Sequence, residues 1–524
     1  MPNTPQVLET IGAVAVAALY GLTLIAMSLY GLNFLFLVFV AWHHRRDHVD
    51  APPLSTYPMV TVQIPIYNER YVAERAIEAA CRLDWPHDRL EIQVLDDSTD
   101  ATREIVAQAV ARLRPTGVNI SHLHRSNRVG YKAGALRDGL TTAQGEYLAI
   151  FDADFVPPPD FLRQAMPHLI ADSRVGFAQA RWGHLNREAS LLTRLQACNI
   201  DSHFLIEQFA RDRAGWFMNF NGTAGVWRRR AIEEAGGWNI GTLTEDLDLS
   251  YRAVLSGWRT RLLPELVAPA ELVGEASAYR RQQTRWAHGS VECATRLLPL
   301  VWRARLPWRM KIEAFFHLSG YAIQVLVLVM SIVYPFLLML ADDSHILNLL
   351  YWTGWVFAPI AAAPAVFFAY AQVALEGRRW WRRMPDLGLI LLLGSCMVLN
   401  STRAVLRGLR RDAAAFERTP KSGQVGRQRA SSGGEYSLPI DPIVLGEVAL
   451  CVFHLNTARL AWAAQSWGIF LYAVSFAAGL AYLSGLSLWQ RREMLYVGLR
   501  AAISNWGVAG RKGGMRRISQ RSEG

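Results

Sequence analysis

The sequence predicts an α/β domain on a largely parallel sheet, inserted between membrane-crossing helices and joined to them by amphipathic helices at the membrane surface. Three observations carry this. Long apolar runs stand at both ends of the chain, short β-branched runs alternate with helical stretches between them, and Arg- and Trp-rich amphipathic stretches connect the two. At 524 residues the chain also exceeds the size at which one hydrophobic core keeps growing, so more than one unit is expected.

The apolar runs come first. Residues 11–42 carry no charge, and 314–340, 349–375 and 466–488 are each long enough to cross a hydrocarbon layer of about 30 Å. The first run far exceeds the apolar core of a secretory signal and no small-residue cleavage site follows it, so a retained anchor is expected. Basic clusters at His43–Arg46, Trp302–Lys311, Arg378–Arg383, Arg403–Arg411 and Arg491–Arg492 alternate with the Lys- and Arg-free connections 341–348 and 462–465. That positive-inside pattern puts 45–312 and the C-terminus in the cytoplasm. Residues 385–412 have basic groups on both sides and read as an interfacial or re-entrant helix. A crossing at 441–461, despite Glu447, His454 and Arg459, restores parity and gives five spans, with four as the alternative.

Between Pro58 and about Ala268 the strand candidates are Met59–Ile66, Leu90–Leu95, Val118–Leu123, Glu146–Phe151 and Val175–Ala180. Helical stretches at Val72–Leu83, Ala101–Leu113, Ala133–Leu140 and Phe161–Ile170 fall between them, and Leu191–Arg213 and Ala276–Trp302 follow as longer helices. The units are an anchor (1–44), an α/β catalytic domain (45–275), interfacial helices (276–312), two crossings (313–376), an interfacial helix with a basic loop (377–440), C-terminal crossings (441–490) and a basic tail (491–524). Gly/Ser-rich 422–438 reads as mobile, and the tail beyond Ser504 as disordered.

The net charge of +11 would suit nucleic acid, but no zinc-ligand spacing or aromatic-basic RNA motif accompanies it, and membrane topology accounts for it better. The five cysteines, Cys81, Cys198, Cys293, Cys396 and Cys451, are scattered and imply neither a disulfide framework nor a metal site.

Ligands of such sheets bind beyond the carboxyl ends of strands, and the acidic motifs sit there. Asp96–Asp97 follow the second strand, where carboxylates can accept hydrogen bonds from a base or ribose; an Asx turn into the next helix is the structural alternative. Glu69, in Tyr67–Asn68–Glu69 after the first strand, is similarly placed. Asp152 and Asp154 point the same way along an extended segment and supply the hard oxygen ligands a divalent cation on a diphosphate needs, although a strand-end turn uses the same residues. Only four lysines (132, 311, 421, 512) occur among 55 basic residues, so Lys132 and Lys421 beside these motifs suit phosphate. Thr244 is the expected cap of a helix opening with Glu245 and Asp246. Asp246 is favoured as a general base, with complementing the helix dipole as the alternative role. Gln282, Arg285 and Trp286 share one helical face, where Arg285 can neutralise a diphosphate and Trp286 can support a sugar ring; a membrane-surface helix would also use Arg and Trp. Phe416–Lys421 can close over phosphates as a lid, or be an ordinary juxtamembrane loop.

These residues, with QARWGHLN (179–186), FNGTAGVWRRRAI (220–232), AGGW (235–238) and TEDLDLSYRA (244–253), resemble the processive, membrane-integrated family 2 glycosyltransferases, most closely the cellulose-synthase-like mannan and glucan synthases, over about 58–490. The resemblance implies a GT-A type (Rossmann-like) catalytic domain, inversion at the anomeric carbon and a channel for the product. It implies nucleotide-sugar binding by Glu69, Asp96, Asp97, Lys132, Asp152, Arg285 and Lys421. Metal, Mg2+ or Mn2+, falls to Asp152 and Asp154, acceptor contacts to Gln282, Trp286 and Glu245, and the base to Asp246. The expected function is polymerisation of hexose from UDP-glucose or GDP-mannose into a β-1,4-type glucan or mannan, carried across the inner (plasma) membrane onto a growing polysaccharide. The alternative is a non-processive enzyme making a glycolipid such as glucosyl-diacylglycerol or glucosylceramide. A non-enzymatic membrane scaffold is opposed by the intact acidic motifs. The partners implied are the donor, the acceptor glycan and the lipid bilayer, with no nucleic acid and any export partner unspecified. Arg418 departs from the Val of cellulose synthases, the N-terminal crossings are fewer, and no cyclic-dinucleotide domain follows the last crossing.

Overall fold

The structure, a computed structural model, describes residues 4–47, 53–54, 56–340, 352, 357–411, 417–427 and 438–492. The apolar N-terminal run forms one helix, α1 (Thr4–His43). The α/β region follows with β1 (Val60–Ile66), α2 (Ala73–Cys81), β2 (Leu90–Asp96), α3 (Thr102–Leu113), β3 (Asn119–His124), α4 (Tyr131–Thr142), β4 (Tyr147–Ile150), α5 (Phe161–Ala171) and β5 (Val175–His184). All five expected strands and four intervening helices are present. Buried apolar side chains form two layers on either side of the sheet, one around Val62, Ile64, Ile92 and Val226, the other around Leu148, Phe177 and Trp227.

Two further strands were not expected: β6 (Gly225–Arg228) and β7 (Arg259–Ala270). The order is β3-β2-β1-β4-β6-β5-β7, and β6 runs antiparallel to both β4 and β5, so the sheet is mixed rather than simply parallel. The reversal matters for the site. It returns the chain to the carboxyl ends of β1, β2 and β4 just before β6, delivering Asn221–Gly222 there.

The long helix expected at Leu191–Arg213 is α6 (Leu191–Ser202) and α7 (Phe209–Arg213), joined by a π turn at His203–Gln208. Ser190 caps α6 in a reciprocal box with Thr193. The helices α8 (Arg229–Glu234) and α9 (Glu245–Leu255) flank the second apolar layer, and α10 (Ala276–Arg303) leads through α11 (Trp308–Leu318) to α12 (Ala322–Leu340).

Among the described residues four helices are long and apolar enough to cross a membrane: Ile11–His43, Ala322–Leu340, Ile443–Ala463 and Trp467–Arg492. Of the expected span 349–375, residues 352 and 357–375 are described, and they form the short helix Ala358–Ala361 and the start of Ala363–Glu376 rather than one continuous crossing. Residues 385–412 are not one helix. Ala363–Cys396 and Val398–Arg410 form a pair bent by 47°, a fifth span if the pair is counted as one. Val398–Arg410 packs on α10 closely enough that a Cβ on Gly408 would stand 2.9 Å from the His288 carbonyl, so glycine permits the approach. Thr284 donates to Asn400 at 3.0 Å, and Asn400 donates to the Arg280 carbonyl at 3.1 Å.

Arg280 on α10 is buried and forks onto Glu447 of Ile443–Ala463, Nε to Oε1 at 3.0 Å and Nη2 to Oε2 at 2.7 Å. Ser487 accepts from Arg280 and Ser484 donates to Glu447, so both apolar C-terminal helices are tied to α10 through one polar cluster. The acid at 447, awkward in an apolar run, has its counter-ion here.

The stretch 422–438 was expected to be mobile, yet Ser422, Gly423 and Gln424 are docked against the α/β domain. Gly426 N–H also donates to the Leu185 carbonyl at 2.8 Å, whereas 428–437, Phe416 and the tail beyond Ser504 lie outside the described residues.

Candidate active site

One cleft opens at the carboxyl ends of β1, β2 and β4 and is roofed by α10 and the segment 417–427. Of the residues expected there, Glu69, Asp97, Lys132, Asp152, Asp154, Glu245, Asp246, Gln282, Arg285, Trp286 and Lys421 all line it. Asp96 does not. Strand alternation turns its buried carboxylate to the other side, where Ser98 N–H donates to Oδ1 at 2.8 Å and His122 lies 2.8 Å from Oδ2. Burial pushes the Asp96 pKa up, but the hydrogen bonds from His122 and Ser98 outweigh it and the net shift is down.

The end of the cleft over β1 and β2 is lined by Pro65, Tyr67, Leu95, Asp97, Arg128 and Ala135. Arg125 grips Asp97 with both prongs, at 2.7 and 2.6 Å, and reaches Asp138 at 2.9 Å. The Arg128 guanidinium lies 3.4 Å over the Tyr67 ring, a flat charged platform that the sequence reading missed because nothing in the run 125–131 marks one arginine above another.

Asp152 and Asp154 sit in a tight turn after β4 rather than on an extended segment, and Phe155 N–H closes it onto the Asp152 carbonyl at 3.0 Å. Both carboxylates nevertheless face the cleft. Each holds one lysine: Lys132 Nζ is 2.5 Å from Asp152 Oδ1, and Lys421 Nζ is 2.7 Å from Asp154 Oδ2. Burial disfavours charge on Lys132, yet Asp152, Glu245 and Asp246 overcome it and its pKa is raised. Lys421 is raised in the same way by Asp154 and Glu271. Both carboxylates offer the hard oxygen ligands a divalent cation takes, and a cation bound there would displace the two ammonium groups that hold them.

Glu245 and Asp246 open α9. Thr244 occupies the capping position but its side chain accepts no backbone bond; its hydroxyl lies 3.3 Å from the Cys293 thiol instead. Leu247 N–H donates to Asp246 Oδ1 at 2.8 Å. Burial raises the pKa of both acids, Glu245 to about 7 with Asp246 adding to the effect. Desolvation therefore outweighs the helix dipole at both acids. Glu69 is pushed to about 8, first by burial and then by Asp154 and Asp152 against the pull of Arg418 and Lys421.

Gly222 lies beneath this pair with φ +79°, and a Cβ there would stand 2.9 Å from Asp246 Oδ2 and 3.4 Å from Lys132 Nζ. Its carbonyl accepts from Lys132 at 2.9 Å. Gly222→Ala is expected to cut transfer at least tenfold while costing only about 1–2 kcal/mol of stability, the usual strain of a left-handed alanine. Kinetics beside a thermal melt checks it. Neighbouring Asn221 is held from the π turn, with Gln208 donating to its Oδ1 at 2.7 Å and His203 Nε2 3.0 Å from its Nδ2.

The roof segment is closed. Arg281 pairs with Glu417 at 2.8 Å, Arg285 donates to the Glu417 carbonyl at 3.3 Å, and Arg418 donates to the Tyr67 carbonyl at 3.1 Å. Buried Glu271, at the end of β7, accepts from Ser422 N–H at 2.9 Å, the Ser422 hydroxyl at 2.8 Å and Gly423 N–H at 3.0 Å. A lone acid after an apolar strand gives no sequence signal for this role. Glu271→Ala removes all three acceptor contacts, and limited proteolysis is expected to cut within 417–427 several-fold faster than in the parent.

With this geometry in view, the comparisons are consistent. A family model described as glycosyltransferase like family 2 matches residues 58–289. Glucomannan 4-beta-mannosyltransferase 1 of Oryza sativa subsp. japonica is 35% identical over 466 residues, 84% of this chain and 86% of that one. Glucomannan 4-beta-mannosyltransferase 7 of Arabidopsis thaliana is 41% identical over 312 residues; the match spans 57% of this chain and about half, 56%, of the relative. Among solved structures, a mannosyltransferase from Pyrobaculum calidifontis aligns with TM-score 0.49 at 23% identity, over 70% of this chain and 99% of its own. The chain belongs to family 2 of the glycosyltransferases, among the mannan-synthase-like members, and is a hexosyltransferase by class. Its catalytic region is accordingly GT-A-like, with the mixed sheet described above.

Proposed function

We propose that this protein transfers mannosyl units from GDP-mannose to the end of a β-linked mannan, with inversion, from a catalytic domain on the cytoplasmic face, and that the product leaves through the helical membrane part. The observation that carries the reading is the convergence on one cleft of Asp152, Asp154, Lys132, Arg285 and Lys421 with the buried pair Glu245–Asp246. The 84% coverage by a glucomannan 4-beta-mannosyltransferase supports mannose and a β-1,4 linkage.

In this reading the base stacks near Tyr67 and Arg128 beside Asp97. The diphosphate lies among Lys132, Arg285 and Lys421, whose positive charge offsets the charge that builds as the sugar–phosphate bond breaks. A divalent cation held by Asp152 and Asp154 would supply further charge neutralisation to the leaving diphosphate. Trp286 and Gln282 support the acceptor sugar. Asp246 takes the proton of the acceptor hydroxyl as its oxygen bonds to the anomeric carbon from the face opposite the phosphate, so the electron pair of the broken bond departs with the nucleoside diphosphate. Asp96 has no part in this, being turned from the cleft.

Purified protein incubated with a panel of nucleotide sugars is expected to release nucleoside diphosphate fastest from GDP-mannose and to make ethanol-insoluble product. Fastest release from UDP-glucose would overturn the donor assignment. A chloroform-soluble product alone would overturn the polymer and favour a glycolipid.

A further inference from the structure

The carboxylate that the cleft does not use lies in a cluster of its own. β3 is the edge strand of the sheet, and His122 and His124, two residues apart, project from one face of it towards the end of β2. Asp96 Oδ2 lies 2.8 Å from His122 Nε2 and 3.4 Å from His124 Nδ1, and one ligand atom from each of the three residues lies within 4.8 Å of the other two. The Asp96 carboxylate is fully buried, whereas the His122 and His124 side chains are 17% and 23% exposed. They open onto a surface hollow lined also by Asp100, Arg103, Glu104 and Ala107. His124 Nδ1 is buried and has no hydrogen-bond partner among the described residues.

We propose that Asp96, His122 and His124 form a binding site for a zinc-class divalent ion, separate from the cation site of the catalytic cleft. Four ligands about 2.0–2.1 Å from zinc stand about 3.3–3.4 Å apart in a tetrahedron; the 3.4 Å Asp96–His124 separation equals that edge, and the 2.8 Å Asp96–His122 hydrogen bond would open to it as the ion replaces the shared proton. The third, imidazole–imidazole edge lies within 4.8 Å. An ion there takes the idle lone pair of His124, keeps the carboxylate of Asp96 compensated, and leaves a fourth position facing the hollow, where Asp100 and Glu104 oppose the charge of Arg103. Two imidazoles and one carboxylate select zinc, cobalt or nickel over magnesium, whereas the paired carboxylates at 152 and 154 have the opposite preference. The two sites are therefore distinguishable by metal.

The site also has a route to the cleft. Asp96 Oδ1 accepts from Ser98 N–H at 2.8 Å, and the Ser98 hydroxyl accepts from Asn68 N–H at 2.9 Å, one residue before Glu69. An ion that pins Asp96 stiffens that turn, which is a structural role rather than a catalytic one.

The test uses the full-length protein in detergent, treated with chelator and supplied with excess Mg2+ to occupy the oxygen site, then titrated with Co2+. Wild type is expected to bind one Co2+ per chain with intense visible bands of a tetrahedral centre, bleached by Zn2+. His124→Gln is expected to weaken Co2+ binding by more than about tenfold, the lower end of what loss of even an outer partner costs a metal site. GDP binding, followed by intrinsic fluorescence, should be retained and certifies the variant as folded. Should His124→Gln fail that check, His122→Gln is read in its place. Absence of Co2+ bands in the wild type, or binding by a folded histidine variant equal to wild type, overturns the proposal.

Discussion

Asp246→Asn is expected to lower the transfer rate by about 10²–10⁴-fold, the share a positioned general base contributes, or about 3–5 kcal/mol of activation free energy. The amide keeps the shape and can still accept from Leu247 N–H, so donor binding should persist while chemistry stops. The neighbour offers a control. Glu245 is buried, sits with Asp246 at the head of α9, and reaches about 7 partly because of the Asp246 charge. Burial raises Asp246 above the ordinary aspartate range, so the wild-type profile is predicted to lose kcat/KM as pH falls, with its acid limb above that range, where the base becomes protonated. In Asp246→Asn the negative neighbour is gone, Glu245 titrates lower, and residual activity should lose the acid limb that the aspartate imposes. Nucleoside diphosphate release against pH for both proteins measures this. A variant retaining more than about a tenth of wild-type rate would remove Asp246 from the role.

Glu447→Ala is predicted to be the most damaging change remote from the cleft. It strands the Arg280 guanidinium, whose side chain is 2% exposed, without its carboxylate. Removing one partner of a buried pair costs about 3–5 kcal/mol, because the survivor stays desolvated and uncompensated. The thermal midpoint in detergent should fall sharply, and transfer should fall with it, since Arg280 lies two residues before Gln282 on the same helix. The double change Arg280→Met with Glu447→Leu removes both charges and is expected to recover most of the midpoint. If Glu447→Ala melts like wild type, the polar cluster is not what holds α10 to the C-terminal helices.

The legible part of this chain was whatever obeys a local period. Alternating and β-branched runs marked β1 to β5, and the acidic motifs after β2 and β4 fell at the strand ends where the cleft lies. β6 escaped because it is four residues behind a glycine-rich turn, and β7 because Pro264, Arg259 and Arg261 break its alternation. Neighbouring Asp96 and Asp97 could not be told apart, since a strand sends one carboxylate to each face and only the assembled sheet says which face is the cleft. Docking of 422–424 was hidden for another reason. Its acceptor, Glu271, is about 150 positions away in sequence, and Gly/Ser composition reports chain freedom, not a distant carboxylate. Thr244 looked like a cap because its neighbours suit one, but a thiol from α10 was nearer.

The π turn at His203–Gln208 uncouples foldability from chemistry in this stretch. Such a turn is an ordinary helix carrying one surplus residue, so excising a single position there would let Leu191–Arg213 relax into uninterrupted α geometry with both flanks intact. What vanishes is the shared face that lets positions five apart grip Asn221 together. Shortening this helix by one residue would therefore keep its flanks but release Asn221, which lines the cleft.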